Sequence, residues 1–125
     1  MCLIIKDRRK KATENITCYK VLLNYNDSLA SPCTFRDIHN HTCWNVGETK
    51  TDANKGKRNK NMVEGGYFHS YKTIESARRL VHDYPRLPLE IYKSIIPKST
   101  WYYEGVCGGD LGYASKSLRI DKQIY

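Results

Sequence analysis

The sequence predicts an α+β fold: a small twisted, mostly antiparallel sheet carrying one main helix at about residues 73–84. Three observations predict it. Short runs rich in β-branched and aromatic residues recur along the chain, separated by Asn, Asp, Pro and Gly turn chemistry. Only the stretch after Thr73 repeats its apolar residues at helical spacing. A chain of 125 residues suffices for one hydrophobic core and not for two, so a single domain, 1–125, is expected.

Taken in order, Cys2 to Lys6 reads as a short buried strand, followed by a basic linker from Asp7 to Glu14. Ile16 to Leu23 is the second strand, closed by the turn residues of Asn24-Tyr25-Asn26-Asp27-Ser28. Pro32 limits Cys33 to Ile38 to an edge strand before a His/Asn-rich stretch at 39–45. From about 47 to 66 the composition turns to Lys, Asn, Thr and Gly, which reads as a mobile basic loop. Tyr67 to Tyr71 is a strand. Thr73 then caps the helix, whose Ile74, Ala77, Leu80 and Val81 form an apolar stripe and whose run Pro85 stops. Leu89 to Ile96, Trp101 to Glu104 and Tyr113 to Ile120 are the remaining strands, with Pro97-Lys98-Ser99-Thr100 as one turn and Gly105, Gly108, Gly109 and Gly112 as a flexible bend. No internal repeat is evident.

The charge balance is the first functional clue. Lys and Arg number 21 against 13 for Asp and Glu, a formal +8, so phosphates, nucleic acids or acidic partners are the expected company. Ten tyrosines and two tryptophans beside two phenylalanines put many rings where a polar tip can meet solvent or ligand. No apolar run has the roughly 20 residues of a membrane helix, and the apolar opening precedes its charges, the reverse of a signal peptide. A cytoplasmic protein without membrane contact is expected, in which the sequons at Asn15, Asn26 and Asn40 carry no sugar. Five irregularly spaced cysteines fit reduced thiols.

Strand alternation places Tyr67, His69 and Tyr71 on one face, and Trp101 with Tyr103 on one face of theirs. Lys98, Thr100, Arg78 and Arg79 lie close to these in sequence, the arginines off the apolar stripe of the helix. Rings that stack a base beside cations that meet its phosphate are the groups a nucleotide needs. The competing reading of each ring is core filling; the conjunction with the net charge favours binding. Gly105-Val106-Cys107-Gly108-Gly109 and Glu64-Gly65-Gly66 offer backbone amides to an anion, although they match no phosphate-loop pattern and read first as hairpin turns. Cys33, His39, His41 and Cys43 have zinc-ligand residue types without zinc-site spacing, so no metal or other cofactor is expected. Cys2 resembles the N-terminal nucleophile of class II glutamine amidotransferases over three residues only, and a strand cysteine is the simpler reading. No carboxylate pair has an acid/base signature, so catalysis is not expected.

Cys18-Tyr19-Lys20-Val21-Leu22, Ser31-Pro32, Gly66 to Tyr71, Ile96 to Gly105 and Tyr113-Ala114-Ser115 together resemble small uncharacterised proteins of phages and prophage-bearing gut bacteria. Their pattern is an Ile-Pro-Lys-Gly-Thr turn, a Tyr-Tyr-Glu-Gly hairpin and a closing Tyr-Ala-Ser; here Ser99 stands in the glycine position. The resemblance brings no activity, but it implies a context in which small basic, aromatic-lined phage proteins sequester nucleotide immune signals. The expectation is therefore a non-enzymatic, homo-oligomeric binder of a cyclic oligonucleotide or ADP-ribose-type ligand. Its contacts would be Tyr67, His69, Tyr71, Arg78, Arg79, Lys98, Thr100, Trp101 and Tyr103. The alternatives are a nucleic-acid-binding protein gripping the backbone with the basic runs at 6–11 and 50–60, a small nucleotide-processing enzyme, and an inhibitor docking on an acidic host protein.

Overall fold

The computed structural model describes residues 3–6, 8–25, 28–30, 44–51, 57–59, 62–65 and 67–125. The expectations for Cys2, for the edge strand at 33–38 and for the His39, His41 and Cys43 cluster lie outside the described residues. Twelve strands and one helix follow in the order β1 (Leu3–Ile5), β2 (Lys10–Lys11), β3 (Ile16–Tyr25), β4 (Ser28–Ala30), β5 (Thr49–Thr51), β6 (Lys57–Asn59), β7 (Met62–Gly65), β8 (Phe68–Tyr71), α1 (Ile74–Asp83), β9 (Leu89–Ile96), β10 (Trp101–Cys107), β11 (Asp110–Ser115) and β12 (Ser117–Gln123). All pairings are antiparallel, in the order β5-β12-β9-β3-β8-β11-β10-β1-β7-β6, with β2 beside β10 and β4 beside β3. Among the described residues the architecture is α+β, an open antiparallel sheet with a single helix. The span read as a basic loop at 47–66 contains β5, β6 and β7 among its described residues.

β3 and β9 pair over eight registers, from Ile16–Ile96 to Leu23–Leu89. Both are buried on two faces, which explains their nearly continuous apolar sequence. On one face Cys18 and Leu22 join Tyr92, Ile96, Tyr113, Leu118, Ile120 and Trp44 in the largest core cluster. On the other, Val21, Leu23, Leu89, Ile91 and Tyr71 receive Ala77 of α1. Thr73 caps α1 by accepting the Ser76 N–H at 3.3 Å, as Ser/Thr at a helix start does.

Chain continuity shows how the sheet bends. Ser115 ends β11 and Ser117 begins β12, so their Cα atoms stand within about 7–8 Å. In hydrogen-bonded order β8, β3 and β9 lie between them, and a flat sheet would hold them about 19 Å apart at 4.8 Å per strand. The sheet therefore curls, with the Trp44 cluster on its inner side and α1 on its outer side. Lys116 sits at the corner and divides the single strand the sequence predicts over 113–120 into β11 and β12.

Gly108 and Gly109 make the hairpin turn that the sequence suggests, whereas Gly105 and Gly112 differ from the expected flexible bend. Gly108 and Gly109, at φ 59° and 87°, form the two-residue turn between the Cys107–Asp110 pair, the geometry of a type I′ hairpin. Gly105 and Gly112 sit opposite each other inside β10 and β11. A Cβ on Gly105 would lie 2.0 Å from the Ile4 carbonyl oxygen, and one on Gly112 would lie 2.8 Å from that of Ser70. These two are strand residues kept small so that neighbouring backbone can lie against them, and β10 runs through Gly105 to Cys107.

Candidate aromatic and basic site

β1 and β2 form one interrupted edge against β10. Between the Ile5–Gly105 and Lys10–Tyr102 pairs the edge uses four residues where β10 uses two. The surplus is a bulge that sets the exposed Arg9 beside β10. Its guanidinium stands 4.4 Å from the centre of the Trp101 ring, and Lys11 Nζ lies 5.8 Å from the same ring. The Arg9 charge also lies near enough to the Tyr67 phenol to favour its ionised form.

Cross-strand register then builds a row. Lys11 is paired with Trp101, the Lys116 N–H donates to the Trp101 carbonyl at 3.0 Å, and Lys116 Nζ stands 4.3 Å from the centre of the Tyr67 ring. Four neighbouring strand ends thus contribute, in order, Lys11, Trp101, Lys116 and Tyr67. One step along, Tyr103, Ala114 and His69 are register partners on the same face, and Tyr103 meets Tyr67 edge-on at 5.5 Å between ring centres. α1 lies on the other end of this face, over Tyr71, Val21, Leu23, Leu89 and Ile91. Trp101 remains 40% exposed.

The local electrostatics favour an anion. Partial burial, with the Tyr103 hydroxyl beside it, raises the Tyr67 phenol above its ordinary 10.0 against the pull of Arg9. Tyr67 is therefore neutral at physiological pH and can donate or accept. A guanidinium has five N–H donors, so its place over the Trp101 ring leaves Arg9 capacity for a phosphate. Stacking of Arg9 on Trp101 contributes about 0.5–1 kcal/mol in such an exposed setting.

The expected contact residues divide. Tyr67, Trp101 and Tyr103 come together, with His69 buried next to them. Tyr71 is buried beneath α1. Thr100 is buried at the mouth of β10, its carbonyl accepting the Ala12 N–H at 2.9 Å. Lys98 is exposed in the preceding turn, its backbone N–H donating to Asn15 Oδ1 at 2.9 Å. Arg79 is paired with Asp110 at 2.6 Å, and Ser76 donates to the same carboxylate at 3.2 Å, which ties α1 to the β10–β11 hairpin. Arg78 faces a groove near the end of α1. Arg9, Lys11 and Lys116 are additions that sequence reasoning missed, the first two because Asp7 to Glu14 read as a solvated linker. The usable signal was the pairing potential of Lys10-Lys11, visible only once β10 is known as a neighbour.

Among the described residues no group of three or more His, Cys, Asp and Glu side chains is placed to hold a metal ion, and no helix is long and apolar enough to cross a membrane. Compared with protein-family models, curated proteins and solved structures, the chain finds no significant match.

Proposed function

We propose that this protein binds, without turning over, a small phosphorylated nucleotide at the Lys11–Trp101–Lys116–Tyr67 row. The observation that supports it is the interleaving of cations and rings from four adjacent strand ends on the outer face, beyond the reach of α1. A base stacks against Trp101 or Tyr67, a contact worth about 1–3 kcal/mol. Its phosphates meet Arg9, Lys11 and Lys116, with charge-assisted bonds strongest at the guanidinium. The ligand class is a cyclic oligonucleotide or ADP-ribose derivative, and the biological role that of a phage anti-defence protein acting in the host cytoplasm. Among the described residues β2 pairs with β10 alone, and a second copy of the chain in a homo-oligomer would supply the opposing wall of the row.

A second reading, single-stranded nucleic acid, draws on the position of the row at the β2 edge, where a longer chain can run on. Salt separates the two readings. Binding of a polymer that releases several counterions falls by orders of magnitude from 50 to 200 mM salt, whereas a compact ligand with two or three phosphate contacts loses far less.

The test is calorimetric titration with cyclic dinucleotides, ADP-ribose and a mixed-sequence single-stranded oligonucleotide, followed by recovery of the ligand by heating. Trp101→Ala and Arg9→Ala should each weaken nucleotide binding tenfold or more with the fold intact, while Arg79→Ala leaves it within about twofold. Absence of binding to every nucleotide in the panel, or release of a cleaved product abolished by His69→Ala, overturns the reading.

A further inference from the structure

α1 is flanked by two grooves of nearly equal size and opposite character. One, of about 400 Å³, lies toward the β10–β11 hairpin and is lined by Asp83, Asp110, Cys107, Tyr71 and Leu80. The other, of about 410 Å³, lies between the last turns of α1 and the segments that follow β12 and precede β9, and its walls are Arg78, Val81, His82, Pro85, Leu87 and Tyr125. Both volumes fall in the range of small-molecule sites, about 300–1,000 Å³.

The second groove combines two chemistries. Arg78 and His82 are four residues apart on the helix and share a face, while Val81, Pro85, Leu87 and Tyr125 provide the apolar walls. The two adjacent arginines of α1 differ in commitment. Arg79 is neutralised by Asp110, whereas Arg78 has no hydrogen bond or ion pair with any described residue. Leu87 and Tyr125 are 46% and 60% exposed, so the apolar wall stands open next to an uncommitted guanidinium. A planar fork of N–H donors is matched by a carboxylate, which takes two parallel bonds from it. Asp83, the carboxylate in the last turn of the helix, lines the opposite groove.

We propose that the Arg78–His82 groove is a second ligand site, for a small carboxylate with an aromatic or branched apolar body. The carboxylate seats on Arg78 with His82 beside it, and the body lies against Leu87, Pro85 and Tyr125. The site is independent of the nucleotide row, which lies beyond the part of the sheet that α1 covers.

The test uses a matched pair of probes, phenylacetate and its uncharged analogue phenylacetamide, followed by amide and side-chain chemical shifts in solution. Phenylacetate should give saturable shifts at Arg78, His82, Leu87 and Tyr125 with none at Trp101, and phenylacetamide should bind at least fivefold more weakly. Arg78→Gln, at an exposed position, should keep the melting temperature and weaken phenylacetate at least fivefold; Leu87→Ser should weaken both probes alike. Equal affinity for the two probes, unchanged binding in Arg78→Gln, or shifts clustered at the Trp101 row overturn the proposal, whatever the outcome for nucleotides.

Discussion

Ser99 has φ 73°, the one positive φ outside glycine among the described residues. It is the third residue of the turn closed by the Thr100 N–H on the Pro97 carbonyl at 3.2 Å, the place where type II turns take glycine. Its own N–H is used by the Ala12 carbonyl at 2.8 Å, so the backbone is held there in spite of the side chain. A left-handed non-glycine residue costs about 1 kcal/mol or more. Ser99→Gly is therefore expected to raise the melting temperature by a few degrees, the relief of strain exceeding the added freedom of the unfolded chain. Ser99→Val should lower it, and thermal denaturation of the three proteins checks both. The residue that departs from the glycine of the resembled pattern still makes the turn, at this energetic cost.

Among the elements, the β1–β10–β11 unit depends on the absence of two side chains. Leu3 is buried with Tyr103, Cys107 and Ala114, and it reaches them because Gly105 and Gly112 leave room for β1 to lie close. Gly105→Ala must move the Ile4 carbonyl and is expected to cost at least about 2–3 kcal/mol. Gly112→Ala, with the longer approach, should cost less, and chemical denaturation of both variants gives the order. Loss of β1 also removes the anchor of the bulge that carries Arg9, so Gly105→Ala should impair nucleotide binding as well. The helix has a lighter attachment. Asp110 accepts from both Arg79 and Ser76, but the arginine is 62% exposed, and a solvent-screened pair of this kind contributes at most about 1 kcal/mol. Asp110→Asn should lower stability by about that amount and loosen α1 before the sheet, seen as faster amide exchange in residues 74–83.

For the whole molecule, the inner face of the sheet sets the alkaline limit of stability. Burial, then the hydrogen bond to Glu90 and its charge, pushes the Tyr92 phenol from 10.0 up to about 12. Burial, with the Glu104 charge next, does the same to Tyr113. Burial pushes the Cys18 thiol from 9.0 up to about 11. Each group ionises more easily unfolded than folded, so its contribution is complete below the unfolded value and is lost as pH rises to the folded one. Stability should hold to about pH 9, decline first through Cys18, and fall most steeply between pH 10 and 12, each tyrosine removing about 2–3 kcal/mol. Tyr92→Phe and Tyr113→Phe should each flatten that decline, measured as melting temperature against pH together with tyrosinate absorbance.

What the sequence by itself determined is what rests on neighbours along the chain. The helix over 73–84 follows from its spacing, Thr73 and Pro85, and is found at Ile74–Asp83; the strand predicted at 89–96 is found with those bounds. Net charge and tyrosine content were equally plain, being sums over residues. Tertiary structure decided where these properties meet. Lys10-Lys11 is a strand because β10 offers it hydrogen bonds, and Gly105 and Gly112 belong to strands because backbone from elsewhere lies against them. Tyr67, Trp101 and Lys116 join Lys11 and Arg9 because β8, β11, β10 and β2 are hydrogen-bonded neighbours whose register sets their ends side by side. Cross-strand register is a relation between residues far apart in sequence, and no local periodicity encodes it. The same register buries Tyr71 under α1, while the Asp110 hairpin claims Arg79 and leaves Arg78 facing its own groove.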